Sequence, residues 1–286
     1  MRMRFPASNH LEKFTAVFAI GFALLIWLAS GRTSASLGAL ALNAGVAAIA
    51  LFVLPPMRGA KNPVIVFFGI ALPLFLFLVF YRETAIVFNR PEVIWHDSTV
   101  SSFEGRLWRV TGNDHHPLLG DWLAFSYIAY VPILVAATAI LMVGHSRGTA
   151  APAESNVRRI CLCLAICYLI FVTYPVMGPR FSYPEFQARR MGTGIFTSLA
   201  VLNQDHGMLR GAAFPSAHVA AIAVVFLSLW NWKRVWFWIL LPLGINLVLG
   251  AVYLAYHYVA DAVAGLVVGV LAVVLDRRWV RNTKVS

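Results

Sequence analysis

The sequence predicts an all-α polytopic membrane protein with about eight transmembrane helices. Three observations carry this prediction. Hydrophobic residues make up 60% of the 286 and charged residues only 12%, against about 25% charged in soluble domains. The apolar residues fall in repeated runs close to the ~20 residues that cross a hydrocarbon core. The basic residues flank those runs and form no single stripe, so the net charge of +11 reads as membrane topology and not as a nucleic-acid surface.

Taken in order, the candidate spans cover roughly 14–30, 36–55, 63–80, 122–143, 159–177, 213–231, 235–253 and 257–275. Helices are the element because every backbone polar group in lipid needs an internal partner. The first span follows a basic stretch, Met1 to Lys13, as a signal peptide would. Ser30-Gly31-Arg32-Thr33-Ser34 is a weak cleavage signal, so this reads as an uncleaved span. Arg58 and Lys61 separate the second span from the third. The fifth holds Cys161, Cys163 and Cys167. A disulfide within one regular helix is strained, and C-x-C-x-x-x-C matches no common zinc spacing, so these read as packing residues. Trp230, Trp232, Trp236 and Trp238 read as an inner interfacial belt between the sixth and seventh spans. Residues 1–120 then hold the N-terminal spans and an outer interfacial loop, and 121–286 a helical core, in one integral membrane unit.

With both termini in the cytoplasm, fourteen of the 23 Lys and Arg fall on the inner side. Of the nine outer ones, eight lie in two long loops, so the short inner loops are the basic ones. Those two outer segments, roughly 81–121 and 178–212, are too long for simple connections. The first mixes aromatic and basic residues (Trp95, His96, Phe103, Arg106, Leu107, Trp108, Arg109) and reads as an interfacial helix or lid. In the second, Ile195 to Leu202 reads as a short interfacial helix. Arg189 and Arg190 read as solvated or lipid-facing, His115 and His116 as an exposed polar loop, and Tyr253, Tyr256 and Tyr258 as belt anchors.

Two polar motifs open apolar runs: Phe214-Pro215-Ser216-Ala217-His218, and His257-Tyr258-Val259-Ala260-Asp261. Ionisable groups at membrane depth cost ~2.5–3.5 kcal/mol each on insertion scales, which marks them as functional candidates. His257 and Asp261, four apart, share one face of a helix, so the carboxylate can fix the imidazole tautomer. Pro215 suits the first helical position, which leaves the amides of Ser216, Ala217 and His218 free to bind phosphate. Taken singly, a His–Asp pair is also an ordinary interhelical tie, and Pro-Ser-x-His an ordinary helix start. The topology brings both motifs, and the end of the fifth span at Pro179-Arg180, to one depth on the outer face.

On these residues the chain resembles the type 2 phosphatidic acid phosphatase superfamily over roughly residues 120–275. The matching positions are Arg180, Pro215-Ser216-Ala217-His218, and His257 with Asp261. The resemblance implies a six-helix core and no metal or other cofactor. The phosphatase branch carries a Lys seven residues before its Arg and a Ser-Arg pair six or seven residues before the His of its third motif, His-x-x-x-Asp; here Thr173, Gly250 and Ala251 occupy those places. A phosphomonoester carries nearly two negative charges at neutral pH and a diester one, so fewer cations fit a diester. Pro-Arg, Phe-Pro-Ser-x-His and His-Tyr-x-x-Asp are similar to the inositol phosphorylceramide synthase-like branch.

That branch implies a phosphotransferase moving an inositol-phosphate-like head-group from a phospholipid donor to a lipid or alcohol acceptor. His257 would be the nucleophile, Asp261 its orienting partner and His218 the acid and base. Arg180, Ser216 and, as a replacement ligand, Arg210 would bind phosphate. The site would lie on the extracytoplasmic face. The alternatives are a lipid phosphate phosphatase, in which water resolves the same intermediate, and a proton-coupled transporter. A transporter fits less well, because no repeated halves are evident in the sequence.

Overall fold

The computed structural model describes residues 10–102, 104, 116–143 and 150–282. Their regular structure is helical. Six helices are long and apolar enough to cross a bilayer: α1 (His10–Ala29), α2 (Ser34–Arg58), α3 (Pro63–Phe88), α6 (Ala151–Thr173), α11 (Arg234–Tyr253) and α12 (Val259–Asn282). A bent pair, α4 (Pro117–Ile128) and α5 (Tyr130–Val143), makes a seventh if counted as one span. The apolar α10 (Ala217–Trp232) is shorter, at 16 residues. Three short helices, α7 (Pro179–Ser182), α8 (Pro184–Arg190) and α9 (Ile195–Gly207), fill the second long segment.

Proline accounts for the irregular helices. The α4–α5 break bends by 48°. Pro132 lacks the N–H that would reach the Ile128 carbonyl, and its ring clashes with that carbonyl. In α2, Pro55 and Pro56 remove two donors just after a π-helical turn at Ile49–Val53.

In lipid, helices associate through packing and polar contacts more than through the hydrophobic effect. Both are present. Phe18 stacks on Phe77 at 5.3 Å and meets Phe80 edge-on at 5.2 Å, joining α1 to α3. Arg58 pairs with Glu12 and Glu154, clamping α1, α2 and α6. Arg158 and Arg159 both bond Asp276, tying α6 to α12. Asn43 donates to the Glu83 carboxylate at 2.7 Å, between α2 and α3. The apolar run puts the start of the fifth span near residue 159, but α6 begins about two turns earlier, at Ala151. Arg58, Arg158 and Arg159 are buried in the bundle, each with a carboxylate partner.

The tightest crossing is between α10 and α12. A Cβ on Gly265 would meet the Ser216 carbonyl, and one on Gly269 the Ala220 carbonyl. Two side-chain-free positions one turn apart therefore let the backbones touch. Cys161, Cys163 and Cys167 are buried and unpaired with one another.

Candidate active site

Backbone pairing converges three loops at one end of the bundle. Val176 donates to Gly211 at 3.3 Å, and Ala213 returns a bond to Val176 at 3.1 Å. This zips the segment leading to Arg180 against the segment leading to His218. The Ser216 amide then donates to the Asp261 carbonyl at 2.9 Å, locking that segment to the start of α12. Gly178 and Gly211, with φ of 94° and 101°, supply the left-handed turns this needs. At Gly178 a Cβ would also press on Ala213 and the Tyr256 carbonyl.

His257 lies in the turn between α11 and α12, not on the helix. Ala255 takes φ 58°, and the amides of Tyr256 and His257 both donate to the Ala251 carbonyl. The sequence placed His257 and Asp261 one turn apart on a single helix, with the carboxylate bonded to the ring. α12 starts only at Val259, and Asp261 Oδ2 accepts from the Tyr258 amide at 2.8 Å, capping that start. His257 Nδ1 is 3.6 Å from Asp261 and bonds the Ala213 carbonyl at 2.9 Å. A carbonyl only accepts, so Nδ1 carries the hydrogen and Nε2 keeps its lone pair. Burial pushes the His257 imidazole down to about 4; the Ala213 bond opposes this, and the Arg180 charge adds to it.

His218 sits in the first turn of α10. Its ring stacks on Tyr127 at 4.7 Å and tilts against Tyr130 at 4.4 Å. The Tyr127 hydroxyl lies 3.4 Å from Nδ1. The two histidine rings face each other with centroids 6.0 Å apart. Pro215 precedes the helix, because Ser216 is the N-cap and its hydroxyl accepts from the Val219 amide at 3.4 Å. The Ser216 amide is thus engaged by Asp261, while its hydroxyl, an acceptor for Val219, retains its O–H donor. Ala217 and His218, whose amides open the helix, line the pocket.

Arg180 enters the same pocket. It touches the Met208 thioether at 3.1 Å and the Phe181 ring at 4.5 Å. Among the described residues no carboxylate lies within ion-pair distance of it. Burial holds its pKa below the usual arginine value. Arg210 does not enter: it is exposed, touches Met177 at 2.8 Å and packs over Trp95 and Phe181.

Other side chains depart from the sequence reading. Tyr256 and Tyr258 are buried, so neither is a belt anchor. The Tyr256 hydroxyl is enclosed beside the pocket without a hydrogen-bond partner among the described residues, and burial raises its pKa. Arg190 is buried and donates to the Tyr253 carbonyl at 3.1 Å, closing the end of α11, whereas Arg189 is exposed. His116 is exposed at the start of α4. Phe103, Arg106, Leu107, Trp108, Arg109 and His115 lie outside the described residues.

The first long segment supplies two anchors that its sequence did not suggest. Asp97 accepts from the amides of Met177 and Gly178, at 2.8 and 3.0 Å. Glu104 accepts from Val259 and Ala260 at the start of α12, at 2.8 and 2.6 Å. Each acid fixes one loop of the site by sequence-distant backbone bonds. Such bonds leave no local signal beyond an acidic residue in an aromatic stretch.

The pocket between the rings holds about 40 Å³. Through Tyr81, Tyr127, Met208, Ala217 and His218 it shares walls with a larger cavity of about 520 Å³. That cavity is mainly apolar, with Leu74, Phe75 and Leu78 of α3 facing Val131, Leu134 and Val135 of α5. An imidazole nitrogen with its lone pair free, a second imidazole, and a cation and a hydroxyl that have no carboxylate or hydrogen-bond partner, respectively, among the described residues thus meet at the head of an apolar chamber. Such a set can hold and transfer a phosphate-bearing group. Among the described residues no three His, Cys, Asp or Glu side chains converge as a metal site.

A family model described as the PAP2 superfamily matches residues 99–275. The match starts ahead of α4 and takes in Glu104, Arg180, Arg210, Ser216, His218, Tyr256, His257 and Asp261, while Asp97 and Tyr81 precede it. Neither characterised proteins nor solved structures give a match.

Proposed function

From the premise that the chain belongs to the PAP2 superfamily, whose members are typically phosphoesterases and phosphotransferases, we propose that it transfers a phosphate-bearing head-group between lipids through a phosphohistidine. Membership supports a phosphatase or a phosphotransferase on lipid substrates. The finer reading is transfer of an inositol-phosphate-like group from a phospholipid to a lipid or alcohol acceptor.

The chemistry assigns each group a task. His257 Nε2 attacks phosphorus, and the bond to the diacylglycerol oxygen breaks as His218 delivers a proton to it. The acceptor hydroxyl then gives its proton to His218 and attacks phosphorus, and the N–P bond to His257 breaks. Asp261, 3.6 Å from His257, balances the positive charge of the phosphorylated ring. Arg180, the Ala217 and His218 amides and the Tyr256 hydroxyl hold the equatorial oxygens. Positioning and electrostatics of this kind supply most of the catalysis in phosphoryl transfer.

The observation that carries the lipid reading is the shared wall at His218: the apolar chamber gives an acyl chain a place directly behind the scissile group. Its α3 wall precedes the family match, so chain selectivity would depend in part on a helix outside the matched residues. A diester is favoured over a monoester by the room around Gly250 and Ala251. A Cβ on Gly250 would already meet the Leu123 carbonyl at 2.9 Å, and Ala251 is fully buried. No second cation fits there. We place both termini in the cytoplasm and the site on the extracytoplasmic face, on the distribution of basic residues.

The test is protein in lipid nanodiscs with phosphorus-labelled phosphatidylinositol or phosphatidic acid, with and without ceramide or another alcohol. Label moving to an acceptor, and lost in His257→Ala, supports transfer. Free phosphate released from phosphatidic acid without an acceptor would make the protein a phosphatase.

A further inference from the structure

A second pocket, of about 290 Å³, opens between α6 and α12 at the end of the bundle remote from the histidines. Asp276 lies fifteen residues along α12 from Asp261, roughly 22 Å at 1.5 Å per residue. That distance reaches toward the opposite edge of the hydrocarbon core. Ser155, Arg158, Arg159, Asp276, Arg277 and Arg281 line it, four guanidinium groups to one carboxylate.

The carboxylate is fully engaged. Asp276 accepts from Nε of Arg158 and, at 2.7 Å, from Nε of Arg159. This sets the two guanidiniums side by side and directs their outer nitrogens away from it. Arg158 spends one on Ser155, at 3.2 Å. Arg159 is 5% exposed and packs over Trp232 at 5.1 Å, yet its Nη1 is buried without an acceptor among the described residues. A buried charged donor left unpaired is costly. The nearby acids Glu12 and Glu154 are both taken by Arg58. Arg277 and Arg281 stand one turn apart, exposed at the rim.

We propose that this pocket binds the phosphate of an anionic phospholipid from the leaflet opposite the histidine site. Basic pockets between transmembrane helices suit such head-groups. The phosphate supplies the acceptor that Arg159 Nη1 lacks, offsets the pocket's excess positive charge, and joins α6 to α12 beneath the Arg–Asp clamp. The rim pair then closes over the head-group from the water side.

The test is thermal unfolding and native mass spectrometry of the full chain in neutral detergent, titrated with phosphatidylglycerol, phosphatidylcholine or inorganic phosphate. Phosphatidylglycerol should stabilise the protein and remain bound, and the other two should do neither. Arg277→Gln with Arg281→Gln, both at exposed positions, should weaken phosphatidylglycerol roughly thirtyfold. Arg180→Gln should leave that binding intact, which separates this pocket from the histidine site. Unchanged phosphatidylglycerol affinity in the double variant, or its loss in Arg180→Gln, would overturn the proposal. Equal stabilisation by inorganic phosphate would replace the lipid with a free anion and overturn it too.

Discussion

The Ala213 carbonyl holds the His257 ring: Nδ1 lies 2.9 Å from it and 3.6 Å from the Asp261 carboxylate. The orienting acceptor therefore comes from the same segment that carries His218, five residues before it. One strand of backbone sets both imidazoles, and the carboxylate is left to act through its charge.

This separates two roles of Asp261. Asp261→Asn keeps an oxygen for the Tyr258 amide and should unfold near the wild-type temperature, with turnover reduced roughly a hundredfold or more. Asp261→Ala should lose the cap as well, at about 1 kcal/mol of stability. Turnover and thermal unfolding on both variants check this. Wild-type turnover in Asp261→Asn would make the residue a cap alone.

If His218 protonates the leaving oxygen, its need depends on the leaving group. His218→Ala should lower turnover of a natural phospholipid by roughly 10²–10⁴. A nitrophenyl phosphodiester, whose leaving group departs without a proton, should form the phosphoenzyme at close to the wild-type rate. Equal loss on both substrates would assign His218 to binding.

The His257 imidazole, held down at about 4 by burial, stays neutral as pH falls from 7 to 5.5. Its nucleophilic form should persist over that range, so any acid limb in kcat/KM due to this ring lies well below the ordinary 6.5. Replacing Arg180 with Gln removes a charge that lowers this pKa, and should move the limb upward. The unfolded ring binds protons between 6.5 and 4 while the folded one does not. Its contribution to stability is therefore full above 6.5 and is lost as pH falls through about 4. A kcat/KM profile of both proteins tests the sign.

Tyr256→Phe removes a buried hydroxyl that has no hydrogen-bond partner among the described residues. Stability should hold or rise, while kcat/KM falls roughly tenfold to a hundredfold, the worth of a hydrogen bond to a charged group. Unaltered kinetics would limit Tyr256 to its stacking on Tyr127, at 4.4 Å.

The spans were legible because apolar runs and flanking charge are local properties of the chain. Their interruptions were less so: Pro132 announces a bend, but not that α4 and α5 part by 48°. Arg180, His218, His257 and Asp261 were legible as short motifs, and the structure brings them together. Arg210 packs outside the pocket, a placement the sequence could not show because it depends on Trp95, more than a hundred residues away. Asp97, Glu104 and Tyr256 were missed for the same reason. An acid bonded to distant amides, or a tyrosine turned inward by a left-handed Ala255, has no periodicity to betray it.

Gly265 and Gly269 bear no functional atom, yet they act as the spacer of the whole device. The missing side chains bring α10 against α12, and each helix begins beside one of the two imidazoles. The gap in which phosphorus would pass from one bond to another is thus gauged by two hydrogens on the seam between α10 and α12. Sequence drift that only thickened this seam would silence the protein while leaving every charged group in place.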